Sequence, residues 1–322
     1  MMIKFYFPDH KFFDVNKLNL PQPCEILDNL QYDPEVTVAI IRPPEEFTQN
    51  HFLCFPSLQF VLSDTTGISH LSLCLNNPNL TTLTLRDISS VCRSSLTAAS
   101  DHAFMLLELS LRPVLKASFD YLKYLDSIGD AIAAPKRSDF IGRTFNDTSI
   151  GLLGLGRIGR AILAKLPSYT HSVYIYDSDP LVEANLDSST HPCSNICFVK
   201  SIQDLFLKSD SVVVAITDDK HRNTNLIDSS LLSAAKLHSI VNISRPYMVD
   251  TSAIIDALHS GTLQYYYSDF LPLFSALDLD QLKCFHNDGR MLSLPHMGGC
   301  TYSSWTNSLN YLLDLFSGMR RD

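Results

Sequence analysis

Residues 149–163 read SIGLLGLGRIGRAIL, and the reading of this stretch decides the fold. SIGLL has the apolar character of a buried strand, RIGRAILAKL that of a helix, and Gly154, Gly156 and Gly159 punctuate the join. At this spacing the first glycine permits a tight turn, the second lets the main chain approach a pyrophosphate, and the third allows the helix to pack closely on the strand. The N–H groups around Arg157 and Ile158, where the helix opens, then face the anion. Eighteen residues beyond Gly159, the strand-like SVYIYD ends on Asp177. A carboxylate there can accept hydrogen bonds from the adenosine ribose hydroxyls, and it would repel a 2′-phosphate. Strand, glycines, helix and acid together predict a dinucleotide site that takes NAD rather than NADP, with an S-adenosylmethionine site as the competing reading.

Outward from this turn, strand-like segments recur between helix-length segments: SIGLLG, SVYIYD, ICFV, SVVVAI, HSIVNIS, LQYYYSD and MLSLP. Strands alternating with helices imply a doubly wound parallel sheet, covered on both faces. Residues 1–98 carry a second, smaller alternation, with IKFYF, VTVAIIR, LQFVLS and TTLTLRDISSVC between proline-rich breaks, and predict a small α/β unit. From Asp101 the segment DHAFMLLELSLRPVL is apolar on nearly every side, which predicts a helix buried on most faces and stopped or bent near Pro113. From Thr301, a plausible N-cap, Trp305, Leu309, Leu312, Leu313 and Phe316 fall at helical intervals, with Gly318 as the expected stop.

Composition narrows the function. At 322 residues the chain is comfortable for two domains. A net charge of −9 argues against a nucleic-acid surface, which needs a basic stripe for counterion release. No apolar run is long enough to span a bilayer, and MMIKFYFPDHKFF has neither the sustained apolar segment nor the cleavage site of a signal peptide. The eight cysteines are scattered, several inside apolar strings, which fits buried thiols in a reducing cytoplasm. Cys193 and Cys197 with His191 lack a second ligand pair at zinc-like spacing, so no metal is expected.

The chain resembles the D-isomer-specific 2-hydroxyacid dehydrogenases, the phosphoglycerate dehydrogenase-like proteins. The likeness runs from FIGRTFNDTSIGLLGLGRIGRAIL through VNISRPYMVDTSAIIDALHSG to LPHMGG. It implies two doubly wound parallel-sheet domains: an NAD-binding Rossmann domain over 99–296, inserted into a smaller flavodoxin-like substrate-binding domain over 1–98 that 297–322 complete. It further implies a catalytic arginine at Arg245, which also binds substrate, and a catalytic histidine at His296. Asp269, in YYYSDF, and Gly298, in LPHMGG, fall at cofactor-binding positions, Asp269 at that of an aspartate that holds the nicotinamide carboxamide. Gly67 and Ile68, in LQFVLSDTTGISHL, fall where relatives offer N–H groups to a substrate carboxylate. ASDHAFMLLELSLR resembles the helix that forms much of the family's dimer interface, so a homodimer is expected.

The placements suit the chemistry. Open α/β sheets bind ligands at the carboxyl ends of their strands, where VNIS and LSLP deliver Arg245 and His296. An arginine can grip a keto acid's carboxylate through two N–H groups, and an imidazole can pass a proton to the keto oxygen. The chain also departs from the family pattern. Phe274 stands where relatives carry a glutamate that pairs with the histidine, and Pro246 follows the arginine in place of glycine. Two functions are therefore expected: an NAD-dependent oxidoreductase of a small 2-hydroxy or 2-keto acid, or a catalytically weakened NAD(H)-binding regulator or scaffold of the same fold.

Overall fold

The computed structural model describes every residue except 1, 44, 66–68, 89–95, 128–132, 187–190, 192, 194, 217–222, 272–274, 276–277 and 321–322. Gly67, Ile68 and Phe274 thus lie outside the described residues. The chain divides into two compact units, one of residues 1–98 with 299–322 and the other of residues 99–298. Among the described residues no helix is long and apolar enough to cross a membrane.

The first unit is built on five parallel strands, β1 (Ile3–Tyr6), β2 (Cys24–Leu27), β3 (Val36–Ile40), β4 (Phe60–Ser63) and β5 (Thr81–Thr84), in the order β2-β1-β3-β4-β5. Alternate residues face opposite sides, and a parallel sheet must bury both. Phe5, Phe7, Val38, Ile40 and Leu62 line one face, and Tyr6, Val36, Ala39, Ile41 and Val61 the other. The helix Tyr302–Met319 covers the first face with Leu309, Leu312, Leu313 and Phe316, all fully buried. Each such side chain contributes about 1.5–3 kcal/mol relative to exposure. Thr301 caps this helix, its hydroxyl oxygen accepting the Ser304 N–H at 3.1 Å. The helix runs through Gly318 to Met319, so Gly318 is not the stop that the sequence suggests. Strand β2 was not among the expected strands, because CEIL sits at the sheet edge and buries only Leu27.

Trp305, the sole tryptophan, extends the helix's hold on this sheet. Arg42, just past β3, is buried with its guanidinium carbon 4.2 Å from the Trp305 ring centroid and its Nε 2.6 Å from Asp64 Oδ1. The Ser308 hydroxyl donates to the other Asp64 oxygen at 3.0 Å. A buried guanidinium is tolerable because both its charge and its flat face are matched.

The second unit is a seven-stranded parallel sheet in the order β12-β11-β10-β9-β6-β7-β8. Its strands are β6 (Ser149–Leu153), β7 (Ser172–Tyr176), β8 (Ile196–Phe198), β9 (Ser211–Val214), β10 (Leu237–Asn242), β11 (Leu263–Ser268) and β12 (Met291–Ser293). These are the seven segments expected from the sequence, and both sheets are parallel. Leu152, Val213, Val241 and Tyr267 face one side, and Leu153, Val212, Val214, Ile240 and Tyr266 the other. The order reverses between β6 and β9, the crevice where open sheets of this kind take their ligands.

The apolar segment after Asp101 divides at Pro113 into helices Ala98–Leu111 and Val114–Asp126. The first buries one face, through Ala103, Leu106, Leu107 and Leu111, and leaves Met105 exposed. Only Asp101, Met105 and Glu108 of its residues are exposed, so the helix is enclosed on most sides, as the sequence suggests. The second helix buries no residue at all, and Val114, Tyr121, Leu122 and Leu125 are exposed.

Candidate active site

The glycine turn sits at the reversal point of the second sheet. Gly154 follows β6 with φ of +97°, a region that a side chain strongly disfavours. A Cβ there would also fall 2.8 Å from the Ala215 carbonyl oxygen. Gly159 lets the helix Arg157–Leu163 lie against the turn, since a Cβ would collide with the Gly154 carbonyl oxygen. Gly156 differs: a Cβ would meet nothing within 4 Å, and no side chain caps the helix that it opens. Arg157 and Ile158 are half-buried in its first turn. Main chain packed on one side and open on the other, with no competing side chain, fits a pyrophosphate.

Asp177 lies one residue past β7. Its Oδ2 accepts the Leu155 N–H at 2.7 Å, and its Oδ1 accepts the Asp179 N–H at 3.0 Å. The acid therefore ties the end of β7 to the glycine turn, and each carboxylate oxygen retains acceptor capacity for a ribose hydroxyl. No cation is offered by Ser178 or Asp179.

A second group of residues gathers at the carboxyl ends of β10, β11 and β12. Asn242, fully buried at the end of β10, shapes the segment that carries Arg245: its side-chain oxygen accepts the Ser244 N–H at 3.0 Å and its amide donates to the Arg245 carbonyl at 3.1 Å. Arg245 is extended and precedes the short 3-10 turn Pro246–Met248, which Pro246 can open because its missing N–H would have no partner there. The guanidinium lies over Phe270, its carbon 5.7 Å from the ring centroid. On the same ring lies His296, with centroids 4.5 Å apart.

His296 is held in a left-handed conformation, φ +55°, which costs about 1–3 kcal/mol for a residue with a side chain. Asp269 balances that cost. Its carbonyl accepts the His296 N–H at 2.8 Å, its Oδ1 the Met297 N–H at 2.8 Å and its Oδ2 the Gly298 N–H at 2.8 Å. Burial opposes ionisation of Asp269, but the His102 side chain and the two N–H donors outweigh it and hold the carboxyl below its usual range. At His296 partial burial comes first and the Arg245 charge second, both lowering the imidazole's pKa from its ordinary value, while the Asp269 charge opposes them. The pair is thus biased towards a neutral imidazole beside an ionised acid.

Sequence reasoning missed two groups in this arrangement. Phe270 is buried between Arg245 and His296, and nothing in YYYSDF distinguishes it from an ordinary core phenylalanine. His102 lies far from Asp269 in the chain, and its signal was a single imidazole within an otherwise apolar helix. Conversely, Gly298 lies under Asp269 and His102: a Cβ there would fall 2.6 Å from Asp269 Oδ2. The described cysteines are all free, and among the described residues no His, Cys, Asp and Glu group could hold a metal ion.

Known proteins resemble this chain over the same regions. The family model for the D-isomer specific 2-hydroxyacid dehydrogenase, NAD binding domain, matches residues 119–298. Glyoxylate reductase 1 of Saccharomyces cerevisiae is 29% identical over 171 residues, 53% of this chain and 44% of that protein. D-3-phosphoglycerate dehydrogenase of Mycobacterium leprae is 24% identical over 273 residues, 83% of this chain and 46% of that protein. The chain thus spans about half the length of the curated relatives it matches. The NAD-complexed D-isomer specific 2-hydroxyacid dehydrogenase of Lactobacillus delbrueckii ssp. bulgaricus superposes with a TM-score of 0.72 at 16% identity, covering 100% of this chain and 97% of that one, a likeness of fold. With more than half of the chain matched by the family model, and with its glycine turn built to admit a dinucleotide, the protein belongs to the D-isomer-specific 2-hydroxyacid dehydrogenase family, and residues 119–298 are its NAD-binding domain.

Proposed function

We propose that the protein is an NAD-dependent oxidoreductase that interconverts a small 2-keto acid and the corresponding 2-hydroxy acid. The observation that carries this reading is the convergence of Arg245 and His296 on Phe270, in the same unit as the glycine turn. Bound nicotinamide supplies or takes the hydride. Gly154, Gly156, Arg157, Ile158 and Gly159 hold the pyrophosphate, Asp177 the adenosine ribose, and Asp269 with Gly298 the nicotinamide end. Arg245 anchors the substrate carboxylate and polarises the keto oxygen. His296 gives its proton to that oxygen during reduction and takes it back during oxidation.

The curated relatives are named as reductases and dehydrogenases, which favours an enzyme over a regulator or scaffold. Phe274 stands at the family's glutamate position, and a carboxylate there would raise the protonated fraction of His296 near neutral pH. Phe274→Glu accordingly raises the rate of reduction at pH 7. A homodimer accords with the exposed Val114, Tyr121, Leu122 and Leu125 on a helix that buries nothing within its own unit, and the free cysteines accord with the cytoplasm.

The test is NADH oxidation by the purified protein with a panel of 2-keto acids. Turnover that disappears in Arg245→Ala is expected. NADH binding without turnover of any acid would return the scaffold reading to favour, and a sedimentation mass of one chain would remove the dimer.

A further inference from the structure

Asp269 has a partner that the reading above does not use. His102, on the helix Ala98–Leu111, is more than nine-tenths buried, and its Nε2 lies 3.1 Å from Asp269 Oδ1. That nitrogen is out of reach of solvent and, among the described residues, makes no well-aligned hydrogen bond, so its relation to Asp269 is one of close approach between the imidazole and the carboxylate. The Asp269 carboxylate is therefore what the imidazole is held against. Gly298 records the closeness of the fit, since a Cβ there would approach Asp269 Oδ2 at 2.6 Å and His102 Cδ2 at 3.2 Å.

The other bonds of Asp269 give this contact its meaning. Three consecutive N–H groups, of His296, Met297 and Gly298, end on one residue, the first on its carbonyl and the other two on its carboxylate. A carboxylate accepts two N–H bonds well only while ionised, and a buried one remains ionised only when donors surround it. His102 faces it from the helix and the N–H groups of Met297 and Gly298 from the turn, while the Arg245 charge acts on His296.

We propose that His102 is a positioning residue. By setting its Nε2 against Asp269 it keeps that carboxylate charged and fixed, and the carboxylate in turn holds the backbone that aims His296. The helix thereby reaches the proton-transferring imidazole through one intermediate side chain, without touching substrate or cofactor. The inference rests on the reading of His296 as the acid/base, and it adds a residue that this reading does not require.

The experiment is an NMR pH titration of the labelled, cofactor-free protein, following the His296 ring and the Met297 and Gly298 amides, alongside steady-state kinetics. In His102→Leu the amide-reported midpoint of Asp269 rises by about one unit or more, and the His296 ring signals move. The kcat falls about tenfold to a hundredfold, and KM for NADH rises with it, because Asp269 also serves the nicotinamide end. His102→Gln, which keeps an N–H donor, recovers most of both losses. If His102→Leu does not fold, His102→Phe keeps the ring's volume without its donor and makes the same comparison. Unchanged amide midpoints in the donorless variant overturn the proposal. So does a glutamine variant as impaired as the leucine one, because the loss would then be one of packing. An enzyme that turns over no keto acid sinks the functional reading, while the titration still decides whether His102 governs the turn.

Discussion

The Phe270 ring lies 4.5 Å, centroid to centroid, from the His296 imidazole, tilted by 46°. One side of the imidazole is thus walled by an aromatic ring. Phe270→Ala admits water to that side of the ring and raises the His296 pKa towards its ordinary value. It also removes a buried aromatic, lowering stability by about 3–5 kcal/mol. Urea unfolding and the pH profile of reduction measure the two effects; a profile that does not move shows that the wall has no part in setting the imidazole's pKa.

The depressed His296 pKa fixes the sign of the pH dependence. Reduction of a keto acid needs the imidazolium, so kcat/KM for reduction is high below the folded pKa and falls as pH rises through it, with a midpoint below about 6.5. Oxidation of the hydroxy acid needs neutral imidazole and rises through the same midpoint. Profiles in both directions with midpoints above 7 contradict this assignment.

Asp177 ties the end of β7 to the glycine turn, and in the proposed reading it also meets the adenosine ribose. Asp177→Asn keeps one acceptor oxygen but loses the charge, and it weakens NADH binding by about 1–3 kcal/mol while reducing the discrimination against NADPH. Calorimetry with each cofactor reads both quantities. Equal affinities for NADH and NADPH in the parent protein would mean that the carboxylate does not police the ribose.

Leu312 is fully buried on the face that the last helix presents to Val38, Ile40 and Leu62. Leu312→Ala leaves a cavity there and lowers stability by about 2–5 kcal/mol, measurable as a lower urea midpoint with an unchanged slope. A loss under 1 kcal/mol would show that this face repacks freely.

The parts of the molecule legible in its sequence are those where one local pattern suffices. The seven strands of the larger sheet announce themselves because a strand buried on both faces must be apolar throughout, as in SVVV and LHSIVN. Gly154, Gly156, Gly159 and Asp177 are recognisable because a turn against main chain admits only glycine and because the acid's distance is set by one strand–helix–strand unit. CEIL was opaque because an edge strand need bury only one residue. The relation of His102 to Asp269 was opaque for a different reason: it joins a helix early in the second unit to the end of β11, and no spacing rule links two residues so far apart. The place of Arg42 was opaque as well, because its stacking on Trp305 depends on a helix at the other end of the chain.

That stacking has a temporal side. The ribosome makes the smaller sheet first and its roof last, so Phe5, Val38, Ile40 and Leu62 stand uncovered while everything between Leu62 and Leu309 is synthesised, roughly ten seconds to a minute at common elongation rates. During that interval the nascent chain presents a sticky slab to its surroundings while the larger sheet can already complete itself. A message broken ahead of the codon for Leu309 should therefore yield a half-competent product, with its nucleotide fold intact and its leading segment prone to clump, as pelleting of truncated translation products would reveal.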